Sequence, residues 1–310
     1  MGRILSNPQR NGYLPWLKLI LNVTPSLVFG IFTIIFTIQQ DHFSRSTREF
    51  EQQQELQQRK QNIFDNCINT ISDLLISPYF NRSDARHLRP VREKVLSALR
   101  QVDPTQKRDI IFFLYTNELI TNGVPMEYRL DLTGADLTNV KFVRSSTMRC
   151  DFTKLSLRGV LASNIVFSGC ILLFSDFEKS VMDRSLFENC ILQANNFGDA
   201  NLEQATFHQN SLYEEDFAGA LLTRSTFKNN IPMMYINFTN SDLFGSSISR
   251  QSLFGTSNSD NGNSTNILSN VRFPNGSFSV DTSQLVLNNG AEDEVNFVVL
   301  QYFVFFILIS

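Results

Sequence analysis

The chain has 310 residues, with 27 Lys and Arg against 30 Asp and Glu, a formal net charge of −3 at pH 7. That near balance leaves no polybasic footprint for nucleic acid, and the length admits one repeat domain plus a smaller unit. Phenylalanine is overused at 28 residues, an excess that calls for a pattern.

Residues 1–15 are a short tail, and 16–38 predict a transmembrane helix. From Leu17 to Ile38 the run is apolar except for Lys18 near its edge, Asn22, Pro25, Ser26 and three threonines. At about 1.5 Å per residue it crosses a hydrocarbon core of about 30 Å. Tyr13 and Trp16 suit the interfacial belt. A cleaved signal peptide is the rival reading, but the run exceeds a normal signal core and no A-x-A-like site follows. Arg3, Arg10 and Lys18 lie before the span, Arg45 and Arg48 after it, so charge leans weakly toward a cytoplasmic amino terminus. Sequons at Asn81, Asn237, Asn263 and Asn275 are candidate glycosylation acceptors if the body is translocated. Cysteines that read as reduced lean the other way, and the side of the membrane stays open.

Residues 39–62, rich in Gln, Glu and Arg, predict a solvated helical stalk without the sustained heptads of a coiled coil. Residues 63–129 predict a helical capping module, with helices over 63–75, 85–100 and 104–120. Asp103 is a natural N-cap with Pro104 at the first helical position, and Ile110, Ile111, Phe113, Leu114 and Leu119 form an apolar face.

A beat of five then begins. The centres are Leu132, Leu137, Phe142, Thr147, Phe152, Leu157, Ala162, Phe167, Leu172 and Phe177. They continue with Met182, Phe187, Leu192, Phe197, Leu202, Phe207, Leu212, Phe217, Leu222 and Phe227, and Thr147 alone breaks the apolar rule. A step of five turns about 500° on an α-helix and alternates faces on a strand, so neither element explains it. The chain must bend once per pentad, each centre aimed at a common axis: a solenoid. Cys150, Cys170 and Cys190 recur at every fourth pentad, and Phe alternates with Leu or Met from Phe167 onward. Both fit four pentads per coil, with Phe over Phe on two opposite sides. Stacked cysteines about 4.8 Å apart are close enough for a disulfide, but their buried, in-register setting predicts inert thiols. After Phe227 the register slips by one across Asn230–Met234, where Pro232 predicts a bulge, and resumes at Phe238, Leu243, Ile248 and Leu253. The solenoid is thus expected over 130–256. Residues 257–296 are an irregular polar region in which Leu268, Phe273 and Phe278 offer one more coil. Residues 297–310 are an apolar tail too short to span comfortably. A truncated second span, a lipid-anchor signal and an incorrectly assigned terminus all stand open.

Ala135-Asp136-Leu137-Thr138-Asn139 and Ala200-Asn201-Leu202-Glu203-Gln204 match the pattern A-(D/N)-L-x-x. Over roughly 130–256 the chain resembles the pentapeptide-repeat family. That resemblance implies a mainly β fold, a right-handed four-sided β-helix with one pentad per side. Val91–Asp103, continuing through Lys107-Arg108 to Phe112–Tyr115 and Leu119-Ile120, resembles a segment of membrane-anchored members, in which a transmembrane helix and a short helical module precede the repeats. Covering the first coil's open strand edges is the physical role this predicts for the module.

No catalytic constellation emerges. His42, His87 and His208 lie far apart, and no phosphate-binding glycine loop or nucleophile motif occurs. Asp136, Asp151, Asp176, Asn196 and Asp216, each just before a centre, read as outward groups bonding at corners. No cofactor or metal is expected. Lys141, Arg144, Arg149, Lys154 and Arg158 make the early coils basic, and Asp199, Glu203, Glu214, Glu215 and Asp216 make the later ones acidic. The expected function is a non-enzymatic single-pass membrane protein whose rigid rod serves as a protein-interaction scaffold, with an unknown protein partner and self-association through a solenoid end as a further expectation. The family resemblance also implies an alternative, a DNA-mimicking inhibitor of an enzyme such as a type II topoisomerase. Residues 130–256 hold 13 acidic and 10 basic side chains, too even for a DNA mimic, and an anchor fits it poorly.

Overall fold

The computed structural model describes residues 14–81, 84–146, 149–231, 233–249, 252–253 and 266–279, the side chains of 14–26, Ala85 and Met126 excepted. The tail as far as Tyr13, the sequon at Asn263 and the apolar tail over 297–310 lie outside the described residues. What is described divides into two compact units between Asn62 and Ile63.

The expected span, stalk and first module helix are one element. Helix α1 runs unbroken over Leu14–Ile76, because the Gln, Glu, Arg and Lys between 39 and 62 are straight-chain helix formers and nothing there terminates a helix. Among the described residues no helix is long and apolar enough to cross a membrane. The described apolar run, 27–38, makes only about 18 Å of helix. The rest of the predicted 16–38 span lies among side chains outside the description.

In the second unit, α2 (Ala85–Leu99) starts at Asp84, whose carboxylate accepts the Arg86 amide. Helix α3 (Pro104–Thr116) starts on a capping box between Asp103 and Gln106. Cys67, Ile71, Val95, Leu99, Ile110 and Leu114 are fully buried among these helices. Helix α3 stops short of the expected residue 120. Glu118 turns to a φ of 57°, the Leu119 amide bonds the Leu114 carbonyl, and the chain leaves the helix to enter the solenoid. The Ile120 carbonyl there accepts the Ser156 amide at 2.8 Å.

The strands are β1 (Lys141–Val143), β2 (Asp151–Thr153), β3 (Val166–Ser168), β4 (Ile171–Leu173) and β5 (Leu186–Glu188). They continue as β6 (Ile191–Gln193), β7 (Thr206–His208), β8 (Ser211–Tyr213), β9 (Thr226–Lys228) and β10 (Met233–Met234). They form two parallel sheets, β1-β3-β5-β7-β9 and β2-β4-β6-β8-β10, on two sides of a four-sided right-handed solenoid. Phe167 pairs with Phe187 and Leu172 with Leu192, one coil per four pentads. The first coil departs from this, since Phe142 pairs with Phe167, five pentads on. An extra pentad is therefore inserted between β1 and β2, and it contains Thr147. Thr147, the one polar residue in the beat, lies outside the described residues. The slip after Phe227 appears in the pairing of Asp216 with Asn237, one position beyond four pentads. The next pairings, Asn237 with Ile267 and Asp242 with Arg272, reach across six pentads, so coil structure continues past residue 256 into 266–273. It ends on an antiparallel bridge between Arg272 and Phe278.

The bend once per pentad has a backbone cause. The residue two after most centres adopts a positive φ, among them Asn139, Lys154, Asn164, Phe174, Asp199 and Gly219. The residue before many centres then closes the corner: Asp136, Asp176, Asn196 and Asp216 each accept the amide two residues on, at 2.8–3.1 Å. Asp151 instead pairs with Arg144 at 3.5 Å.

Inside, Phe142, Phe167, Phe187, Phe207 and Phe227 stack with centroids 4.9–5.3 Å apart. Phe177, Phe197, Phe217 and Phe238 form a second column, 4.9–5.5 Å apart. Edge-to-face contacts join the columns, as between Phe187 and Phe197 at 5.7 Å. Each ring buries about 1.5–3 kcal/mol of apolar surface, and a well-placed aromatic pair adds about 0.5–1.5 kcal/mol. The open end of this core is closed by α3. Phe112 and Tyr115 pack on Phe152 at 5.2 and 5.1 Å, and the Tyr115 hydroxyl accepts the Thr153 amide at 2.7 Å.

Candidate functional site: an apolar strip on the second sheet

The candidate core residues Leu132, Leu137, Phe142, Phe152, Leu157, Phe167, Leu172, Phe177, Phe187, Leu192, Phe197, Leu202, Phe207, Leu212, Phe217, Leu222 and Phe227 are all buried, Phe227 least so at 8 % exposure. Their role is to hold the outer surfaces at fixed spacing.

The corner preceding the second sheet carries a buried polar ladder, and it corrects one expectation. Cys150 and Cys170 are joined as a disulfide, their Cα atoms 4.9 Å apart. In-register stacking brings the sulfurs together instead of keeping them apart. Cys190, next in the column, stays free. Burial pushes its thiol and that of Cys67 up to about 11, with Lys94 opposing the rise at Cys67, so these two are the inert thiols. Asparagines continue the column. The Cys190 amide donates to Asn210 Oδ1 at 2.8 Å, and Asn210 Nδ2 donates back to the Phe187 carbonyl at 2.9 Å. On the next corner, Asn195 Nδ2 donates to Glu215 Oε1 at 3.1 Å. Glu215 is fully buried and is no part of an acidic surface, which also weakens the resemblance to an acidic DNA mimic. Burial pushes its carboxyl well above the usual carboxylate range, Asn195 opposing the rise.

Elsewhere, opposite charges neutralise one another. Arg158 pairs with Glu178, and Arg224 with Glu203. Lys107, itself buried, reaches from α3 to Asp136 at 2.7 Å. Burial raises the Asp136 carboxyl, but the Lys107 and Thr138 hydrogen bonds outweigh it and hold the group below its ordinary range. The cleft between Arg129, Asp131, Ser156 and Arg158 has about 10 Å3 of space, enough for a single water. Of the sequons, Asn81 is exposed, with its amide bonded to His87 Nδ1. Asn275 is exposed, and Asn237 is half-buried in a corner.

The two sheets differ on their outer sides. The first presents Val143, Ser168, Glu188, His208 and Lys228 in one column and Lys141, Val166, Leu186, Thr206 and Thr226 in the other. The second presents Ile171, Leu173, Phe174, Ile191, Tyr213, Met234 and Tyr235, with Phe174, Ile191 and Tyr235 each nearly half exposed. Tyr213 and Tyr235 meet edge to face at 5.3 Å. Exposed apolar side chains gathered on adjacent coils of one sheet mark a contact surface, whereas Val143, Leu161 and Leu221 are exposed singly elsewhere. Reading the centres alone misses these residues, since they lie between centres. Their signal appears on aligning the chain in blocks of four pentads: Ile171 over Ile191, and Phe174, Ala194, Glu214 in one column.

The descriptions "Pentapeptide repeats (8 copies)" and "Pentapeptide repeat region" match residues 131–169 and 162–238. Residues 131–238 are a pentapeptide-repeat region. No curated protein matches it. Among solved pentapeptide-repeat structures, one from the Arabidopsis thaliana thylakoid lumen is 22 % identical, with 40 % of this chain covering 72 % of that one at a TM-score of 0.20. HetL, a protein involved in heterocyst differentiation regulation from the cyanobacterium Nostoc, is 13 % identical, with coverages of 48 % and 93 % and a TM-score of 0.23. QnrB1, a plasmid-mediated fluoroquinolone resistance protein, is 18 % identical, with coverages of 52 % and 85 % and a TM-score of 0.21. In this pentapeptide-repeat solenoid the apolar strip is the surface feature that departs most from ordinary solvated faces.

Proposed function

We propose that this chain is a non-enzymatic, single-pass membrane protein whose solenoid is a rigid scaffold for protein contacts, made through the outer side of the second sheet. The observation that carries the reading is the cluster of exposed Phe174, Ile191, Met234 and Tyr235 with half-buried Ile171 on the second sheet. Solenoids present side chains at fixed spacing over a surface that does not rearrange, a property suited to recognition. The carboxylates that a hydrolytic site would need are spent as corner acceptors at Asp136, Asp176 and Asp216. Membrane attachment is supported by α1. Leu27, Val28, Phe29, Ile31, Phe32, Ile34, Ile35, Phe36 and Ile38 are all exposed around the helix. Thr33 and Thr37 turn their hydroxyls onto carbonyls four residues back, at 2.7 and 2.8 Å, which suits a medium without water. The apolar sequence continues back to Leu17.

A photo-reactive residue at Phe174 or Ile191 of the full chain, expressed in cells, tests the scaffold reading, with Glu188 and His208 on the first sheet as controls. Protein adducts are expected from the strip positions and not from the controls. Equal labelling from both sheets, or none from either, would remove the reading.

A further inference from the structure

Resting on that scaffold reading, we infer that the strip's occupant is a second copy of this chain, docked with its solenoid axis antiparallel so that Lys154 of each copy faces Glu214 of the other. Lys154 and Glu214 occupy the same corner column of the second sheet, the residue after β2 and the residue after β8. Both are exposed, and neither side chain has an ion-pair partner among the described residues. Their charges are opposite, and they bracket Ile171, Phe174 and Ile191, with Met234 and Tyr235 one coil beyond Glu214.

A two-fold axis lying in the interface, along the strands and between β4 and β6, exchanges β4 with β6 and β2 with β8. It keeps each column facing itself, as an isologous contact requires. Four things follow in register. Ile171 meets Ile191, and the large Phe174 meets the small Ala194. Thr153 meets Tyr213, and Lys154 meets Glu214 twice, once on each side of the axis. The other face-to-face arrangement, with parallel axes, sets Lys154 against the partner's Asp151. That carboxylate is already held by Arg144 at 3.5 Å, and Glu214 is then left against Ser211. The antiparallel register alone uses both unpaired charges.

Size sets the strength. Four coils at about 4.8 Å, crossed by strands about 13 Å wide, give about 250 Å2 in projection, against about 800 Å2 per partner in a standard interface. The contact is therefore weak in dilute solution and is populated when copies are held at high local concentration.

The test uses the full chain in detergent micelles over a concentration series, with the dimer fraction read by sedimentation. Lys154→Glu and Glu214→Lys should each weaken association by about three- to tenfold, because each sets two like-charge pairs face to face. The double reversal should return it to within about twofold of the parent, since the pairs are re-formed with their signs exchanged. No concentration-dependent dimer, singles that change nothing, or a double variant as weak as the singles would each overturn the proposal. A photo-reactive group at Ala194 separates the two readings. Cross-linking to Phe174 of another copy is the expected result. Adducts to other proteins alone overturn self-docking and leave the scaffold standing, and no adduct at all overturns both.

Discussion

Glu215 shows how strongly one side chain is governed by its place in a column. Asn195 below it forms a closed set of bonds: its Oδ1 accepts the Ser175 amide and its Nδ2 reaches the Leu172 carbonyl, both at 2.9 Å. At the equivalent place one coil on, Glu215 is one methylene longer and has an ionisable end, and its Oε2 has no partner. A charged carboxylate there would lack full compensation, so burial favours the protonated form in the folded protein. The folded pKa lies above the unfolded one. Its contribution is therefore fully present below the unfolded value, about 4.3, and is lost as pH rises toward the folded one, by up to about 1.4 kcal/mol per pH unit. Glu215→Gln should flatten that slope. Urea unfolding of parent and variant at pH 5, 6 and 7 should show curves that diverge in the variant's favour as pH rises. Parallel curves would mean the carboxyl is ionised and compensated in the native protein.

At the scale of elements, the solenoid's stability is a sum of coil-on-coil contacts. Phe207 lies between Phe187 and Phe227, each 4.9 Å away, whereas Phe227, 8 % exposed, ends its column beside the slip in register. Phe207→Ala should cost about 3–5 kcal/mol in denaturant unfolding, and Phe227→Ala distinctly less. Equal costs would argue against a column with neighbour-limited coupling. The capping contact is smaller and local. Tyr115→Phe removes both hydroxyl bonds to Thr153, at 2.7 and 3.1 Å, for about 0.5–1.5 kcal/mol, and should speed hydrogen exchange at the Thr153 amide while leaving Phe207 neighbours unaffected. This architecture was legible because each core residue occupies one fixed place in a period of five, and the Phe–Leu alternation together with the 20-residue spacing of Cys150, Cys170 and Cys190 fits four sides. Two things were hidden. The pentad inserted between β1 and β2 keeps the beat of five in sequence, so periodicity cannot reveal it. The burial of Glu215 depends on which corner it occupies and what lies one coil away, whereas the cysteine column was legible and only its pairing was misjudged. The strip was hidden for the same reason as Glu215.

For the whole molecule, the fold decides which sequons can carry sugar and so turns them into a test of topology. Asn237 is built into a corner: its Nδ2 donates to Asp216 Oδ1 and its Oδ1 accepts the Thr239 amide, both at 3.0 Å. Between them Phe238 is buried against Phe217. A glycan on Asn237 would pull out this residue and break the coil, so folded molecules should lack it. Asn275 is exposed in the final turn, where its Oδ1 accepts from Ser277 and its amide nitrogen is left toward solvent. If the solenoid lies in a lumen or outside the cell, endoglycosidase should shift the folded, membrane-extracted chain. Asn275→Gln should then reduce that shift, and Asn237→Gln should leave it unchanged. If the solenoid lies in the cytosol, no shift occurs and protease added to intact membranes should reach it. A glycan on Asn237 of the folded chain would contradict the corner geometry itself, because the nitrogen that carries the sugar is the one that holds coil to coil.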